Sequence, residues 1–509
     1  MRAAATAAAL AALLAALAAP ARAAVPATEA APALAIVVRD PTPLRAGPHE
    51  AAPQQALIWQ GEVLEVRGER LDYLQVWDYW RERGGFVEAG RVRRTALAPA
   101  DAPGLLAVVR FVRETPGAEA LGIGFAAAYL KAATPEMLRG EGGAEAFDAI
   151  GTMAERMAQR ASAIAPANAG GVPSRAETAA SAHLEVAVRY GVAFKSFERD
   201  GAMRLCYDGE AFARVLAMAS GPAQRARAAL GLTRPECIDP QLPIGERQRL
   251  DAWRAEVLDR VDAARLPGTL RNRIAMRRAG VWSGLAFQEA RRGDASSAAA
   301  AARRALSELA SVDRADLADE DQGAYDDAAI RVGASRWAAA PTTTPARTAR
   351  NVGIVTAPGE AGQTCVVLVD AKHDVSAPLA RRCTFGLVWA ESASLDREGN
   401  ALALAVQPMD AWRELWLFTR EGGGWTLQVL PPATATSGIG YIELAGWVPG
   451  GKQLLVAREA RGDGRLKRSF EVVRLDTLTT ARQSSDPSVL GPFQRWLSAD
   501  WKRETVSLR

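Results

Sequence analysis

The hydrophobic pattern of this chain changes period twice, and that feature restricts the fold more than any motif in it. From Ala35 to about Leu97 apolar residues alternate with polar ones, as in Glu62-Val63-Leu64-Glu65-Val66 and Tyr73-Leu74-Gln75-Val76-Trp77. A period of two sends one face of a strand to a core. Between about Ala102 and Trp337 the spacing becomes three and four. Leu105, Val108, Val109 and Val112 share one helical face, and Leu250, Trp253, Val257, Val261 and Leu266 follow the same steps. The run Pro341-Thr342-Thr343-Thr344-Pro345 interrupts the pattern, and β-like segments resume beyond it. The expectation is a multidomain α+β chain: a small β-barrel over 35–98, an all-α middle domain over 102–337, a linker over 338–350 and an all-β domain over 351–509.

The N-terminal stretch reads as an address. Arg2 precedes an Ala/Leu run containing Leu10, Leu13, Leu14 and Leu17, closed by Pro20 and Ala21-Arg22-Ala23. A charged start, an apolar centre and a small-x-small site make a secretory signal, expected over 1–23 with an Ala/Pro-rich spacer over 24–34. The alternative is an uncleaved anchor, although the run is short for a bilayer of about 30 Å. No cysteine follows the site, so lipid anchoring is not expected, and no later stretch is long and apolar enough to span. A periplasmic or secreted protein without an integral membrane segment after cleavage is the reading.

Composition bounds the partners. Of 62 basic residues 60 remain without Arg2 and Arg22, against 58 acidic ones. That balance is too even to argue for nucleic acid or an anionic membrane. Cys206 and Cys237 fall in one region, Cys365 and Cys383 in another. An oxidising compartment favours two local disulfides; four free buried thiols are the alternative. Zinc is not expected, because no CxxC pair is present and His49, His183 and His373 lie in three different segments.

Three segments carry family resemblances. Leu44-Arg45-Ala46-Gly47-Pro48, Gln60-Gly61-Glu62, Tyr73-Leu74-Gln75-Val76 and Gly85-Phe86-Val87 follow one another as the turns and strands of a bacterial SH3 domain do. The N-terminal segment thus resembles an SH3b domain, which implies an SH3-like barrel. Trp282, Leu285, Ala286, Gly293, Ala298, Ala302 and Ala305 hold the relative positions of a tetratricopeptide (TPR) helix pair, so the middle is read as TPR-like. Glu398-Gly399-Asn400-Ala401-Leu402-Ala403-Leu404 and Gly450-Gly451-Lys452-Gln453-Leu454-Leu455-Val456 repeat each other, each after a tryptophan segment (Trp389, Trp447). Trp447-Val448-Pro449-Gly450-Gly451-Lys452 resembles the turn of TolB/WD40-like propeller blades, which implies a propeller-like C-terminal domain. A partial propeller, a small β-sandwich and completion by another subunit all stay open.

Catalytic motifs are missing. No G-x-S-x-G elbow, HExxH helix, Walker loop or G-x-G-x-x-G is present, so no catalytic residue, metal or cofactor is assigned. The acidic cluster from Asp313 to Asp326 lacks the alternation of a calcium loop and reads as a charged interhelical segment. The basic run Arg271, Arg273, Arg277 and Arg278 reads as a solvated helix face or a dock for an acidic partner. The most suggestive group is aromatic. Alternation sends Leu74 and Val76 to one face and Tyr73, Trp77 and Tyr79 to the other, with Trp80 at the turn. SH3-like barrels use such ledges for extended peptides; packing is the competing role. Tyr73, Trp77, Tyr79 and Trp80 are therefore the candidate ligand-binding residues. Two functions follow. One is an exported, non-catalytic binding or scaffold protein that engages peptidoglycan peptide or an envelope protein. The other is a peptidoglycan-targeted hydrolase with a carboxylate-based site between domains.

Overall fold

A computed structural model describes residues 33–164, 172–199, 201–340, 352–433, 438–462, 465–498 and 501. The expected signal, nearly all of the spacer and residues 341–350 of the linker lie outside the described residues. The chain divides into two compact units, Met1–Gly104 and Leu105–Arg509.

In the first unit the alternating segments become strands β1 (Leu34–Val37), β2 (Thr42–Arg45), β3 (Gln54–Ile58), β4 (Val63–Arg70), β5 (Tyr73–Asp78), β6 (Arg83–Glu88) and β7 (Val92–Thr95). They form one sheet in the order β3-β2-β6-β5-β4-β1-β7, and no pairing among the described residues closes it into a barrel. Its buried face carries Ala35, Val37, Leu44, Ile58, Leu64, Leu74, Val76 and Val87. Burying these side chains contributes roughly 1.5–3 kcal/mol for each large one. The ladder between β2 and β6 pairs Arg45 with Phe86, and Gly85 lies against Leu44 beside it. A Cβ on Gly85 would stand 2.7 Å from Leu44 Cδ1, so glycine is required for that approach. Two buried carboxylates, Glu62 and Asp78, accept from Arg81 at 2.6 and 2.7 Å and pin the turns before β4 and after β5 together.

The second unit begins with eleven α-helices among the described residues: α1 (Ala102–Arg113), α2 (Glu119–Ala132), α3 (Pro135–Arg139), α4 (Glu141–Ala163), α5 (Arg175–Arg189), α6 (Glu210–Ala217), α7 (Pro222–Leu232), α8 (Ile244–Asp259), α9 (Gly268–Arg291), α10 (Ala295–Ala310) and α11 (Gln322–Ser335). The segment is not all-α. A hairpin, β8 (Phe194–Arg199) with β9 (Ala202–Tyr207), stands between α5 and α6. Gly201 turns it at φ +76°, and the Cys206–Cys237 disulfide ties β9 to the helical turn Pro235–Cys237. Helices α9 and α10 pack as an antiparallel pair reversed at Gly293 (φ +81°), with Ala298, Ala302 and Ala305 buried.

The β part holds a three-stranded sheet, β10 (Gly353–Pro358), β11 (Thr364–Val369) and β12 (Ala380–Thr384). Cys365 and Cys383 face each other across β11 and β12 and are bonded. Both disulfides pair as the spacing predicts. An eight-stranded sheet follows, built of two antiparallel meanders: β13 (Leu387–Leu395), β14 (Ala401–Met409), β15 (Trp412–Glu421), β16 (Gly424–Leu430), then β17 (Gly440–Val448), β18 (Gln453–Gly462), β19 (Arg465–Arg474), β20 (Thr480–Ser484). Short parallel pairing of Trp412 with Gly440 and Arg413 with Tyr441 joins them. The two repeated segments open β14 and β18 in turn, each through a glycine at positive φ (Gly399, Gly450). No closed ring of sheets is present among the described residues. A final helix, α12 (Gly491–Trp496), lies against β17 through Phe493, which packs edge-on to Phe470.

Helices and sheets of this unit share their cores. Trp389 and Ala405 join Leu258, Val281 and Leu285 in one cluster, and Ile330 and Ala334 join Tyr441, Leu455 and Phe470 in another. Packing therefore crosses the change of secondary structure near residue 340.

Candidate functional site

The aromatic residues singled out in the sequence lie on the first unit. Leu74 and Val76 are buried, while Tyr73 and Trp77 are half-buried on the opposite face of β5. Glu65 of β4 stands across from Trp77, and Gly84 of β6 on its other side. The indole lies over Gly84, where an added Cβ would come within 3.3 Å of the ring. The Arg67 guanidinium covers it from the β4 side, 4.5 Å from the ring centre. Tyr79 donates from its hydroxyl to Glu65, and that bond together with Arg67 holds the Glu65 carboxyl below its usual range. Tyr79 and Trp80 are 64% and 59% exposed. Tyr73 and Trp77 share the outward face of β5, Tyr79 meets Glu65 beside Trp77, and Trp80 is exposed at the following turn, where its backbone N–H donates to Asp78 at 2.9 Å.

The second unit contains a cleft of about 860 Å³ that was not found from the sequence. Faces of α4, α7, α8, α9 and α11 and the β14–β15 turn wall it. Nine arginines and six carboxylates line it, with apolar surface from Met276, Val281, Met409 and Trp412. Most of the charges are paired. Asp251 accepts from Arg247, Arg254 and Gln288 at 2.7, 2.7 and 2.8 Å. Arg234 Nε reaches Glu236 at 2.9 Å and Glu155 at 3.2 Å. Burial pushes the Glu155 carboxyl up. At Glu236 burial acts in the same sense, but Arg234 and Arg277 outweigh it and hold the carboxyl down.

The basic run on α9 is not a solvated face. Arg273 Nε binds Asp321 at 2.8 Å, and Arg278 donates to the carbonyls of Leu258 and Val261 at 2.8 Å each. Arg277 points into the cleft wall. The acidic cluster likewise builds structure: Asp313 caps a turn through the Ala315 N–H at 2.9 Å, and Asp321 takes Arg273. On α8 the buried face differs from the apolar reading. Trp253 is 41% exposed while Asp251 and Arg254 are buried, because their ion pair lies on the side of the helix that faces the cleft. Position His373 meets Asp370 at 2.8 Å within one turn, and His183 is buried on α5. Among the described residues no group of three or more His, Cys, Asp or Glu side chains could hold a metal ion, and no helix is long and apolar enough to cross a membrane.

No family model matches the chain, and no curated protein matches it. Among solved structures, the S-layer protein rSbsC(31-844) aligns over 75% of this chain at 14% identity and a TM-score of 0.13. The chain covers 56% of that protein's length.

Proposed function

We propose that this chain is an exported, non-catalytic binding protein of the cell envelope that engages peptidoglycan peptides through its N-terminal sheet. The exposure of Tyr79 and Trp80, directly after the strand that carries Tyr73 and Trp77, is the observation that carries this reading. Aromatic surface of this kind on a small sheet marks a contact site. The two disulfides support an oxidising destination. In this reading the N-terminal sheet is SH3b-like, the helices are a TPR-like body, and the two meanders resemble propeller blades, all surfaces for binding rather than chemistry. A photo-crosslinking amino acid at position 80, used in the periplasm, tests it by the identity of what is captured.

One observation favours a second reading. Glu155 and Glu236 share Arg234 in a deep cleft, and their proton affinities are pushed apart. Such a pair can divide acid and base roles, as a carboxylate-based peptidoglycan hydrolase requires. Release of soluble fragments from peptidoglycan by the unaltered chain, lost in Glu155→Gln, selects that reading.

A further inference from the structure

We infer that the arginine-lined cleft of the second unit is a binding site for a small organic anion, a carboxylate or phosphate head carried on a partly apolar body. The inference stands apart from the aromatic residues on the other unit.

Nine guanidiniums and six carboxylates line the cavity, and two acids outside the lining, Asp148 and Glu320, take Arg227 and Arg273 as well. Arginine cannot shed its charge at ordinary pH, and an enclosed cation without a counter-ion is costly. Arg277 is the lining guanidinium left without an ion pair among the described residues. Arg277 donates Nη1 to Leu230 O at 2.9 Å and Thr233 Oγ1 at 3.3 Å, at the end of α7. These bonds fix the guanidinium plane. Among the described residues its Nε and Nη2 find no acceptor and no carboxylate pairs with it. Burial pushes its pKa down to about 10, with Arg254 and Arg234 adding to the effect and Glu236 and Glu155 opposing it. Among the described residues Arg331 of α11 pairs with Asp410 alone, at 3.7 Å, and shares it with Arg247.

The second observation is steric. Arg273, Arg277, Gly280 and Gly284 are spaced to share one face of α9, and all four line the cleft. A glycine inside a helix costs about 1 kcal/mol relative to alanine, so two of them one turn apart need a reason. Close packing is not the reason. A Cβ on Gly280 would find its nearest neighbour, Arg331 Cδ, at 3.8 Å, and one on Gly284 would meet Asp410 Oδ1 at 3.6 Å. Both are ordinary contacts. The glycines instead leave open the floor beside Arg277 and Arg331. A cavity of this size holds one small organic ligand, and the planar fork of arginine matches carboxylate and phosphate oxygens in pairs. Met276, Val281 and Trp412 supply the apolar wall for the rest of it.

The test uses the full chain. Pyrophosphate and citrate are titrated calorimetrically at constant ionic strength, with sodium chloride as the blank. Saturable binding of either is expected, weakened at least about tenfold in Arg277→Lys, which keeps the charge but loses the fork. Gly280→Leu, which fills the floor, should abolish it while leaving the melting temperature unchanged or higher. Preference for pyrophosphate identifies a phosphate ligand and preference for citrate a carboxylate. If either variant misfolds, protection of Arg277 in the unaltered chain against phenylglyoxal, read by peptide mass spectrometry, replaces it. No saturable heat with either probe, binding unchanged in folded Gly280→Leu, or equal modification of Arg277 with and without the probe overturns the inference.

Discussion

Arg336 Nε donates to Glu443 Oε1 at 2.7 Å, linking the turn after α11 to strand β17 across 107 residues of chain, with both side chains buried. Arg413, fully buried, binds the same carboxylate and donates its Nη1 to Gly333 O at 2.7 Å at the end of α11. Trp501 Nε1 reaches Glu443 Oε2 at 3.0 Å. One carboxylate thus holds a helix end, two strands and the C-terminal tryptophan. Glu443→Ala leaves two guanidiniums buried without it and should cost about 3–5 kcal/mol in denaturant unfolding. A loss below about 1 kcal/mol would mean the ions are solvated.

The same carboxylate sets an acid limit. Burial alone would push Glu443 up, but Arg336 and Arg413 outweigh burial and hold it below the usual range. The folded value lies below the unfolded one of about 4.3, so the stabilisation is complete above that pH and is lost as pH falls through the folded value. Unfolding midpoints should be flat in this respect above about pH 5 and fall below about pH 4. Glu443→Gln should flatten the acid side, and an unchanged acid slope would contradict the assignment.

Gly333 tests the shared core. A Cβ there would overlap the Tyr441 ring, because α11 sits directly on β17. Gly333→Ala should therefore destabilise the unit by about 1–3 kcal/mol, although alanine favours a helix. Added stability would show the helix stands off the sheet.

The disulfides differ in loop length. Cys206–Cys237 closes 31 residues and Cys365–Cys383 closes 18. Removing the first with paired serines should cost about 3–4 kcal/mol, and removing the second about 0.5 kcal/mol less on the loop-entropy account. Equilibrium unfolding of the two double variants measures the difference, and a reversed order would point to native-state effects instead.

Much of the local structure was legible. Alternation separated Leu74 and Val76 from Tyr73 and Trp77, and the repeated glycine turns at Gly399 and Gly450 marked equivalent strands of two meanders. The β8–β9 hairpin was not legible, because Phe194 and Phe197 are three apart and mimic a helical step. Its anchor is a disulfide to Cys237, a tertiary fact. The cleft escaped for a similar reason. Its arginines come from β8, α7 and the turn after it, α8, α9, α11 and β18, and each looks like a surface charge on its own element. The signal that could have exposed it is Arg273 and Arg277 sharing a helical face with Gly280 and Gly284, charge beside missing side chains where an amphipathic helix would place polar bulk.

The measurement that bears most directly on the proposed function is co-sedimentation of the intact chain with purified peptidoglycan, comparing the unaltered protein with Tyr79→Ala/Trp80→Ala. Exposed aromatic hot spots contribute about 2 kcal/mol or more, so the variant should bind about thirtyfold more weakly. Its melting temperature should change little, since Leu74 and Val76 carry the core side of the strand. Equal retention of both proteins, or none by either, would contradict the account. So would a large drop in melting temperature with retention unchanged, which would make these rings part of the packing.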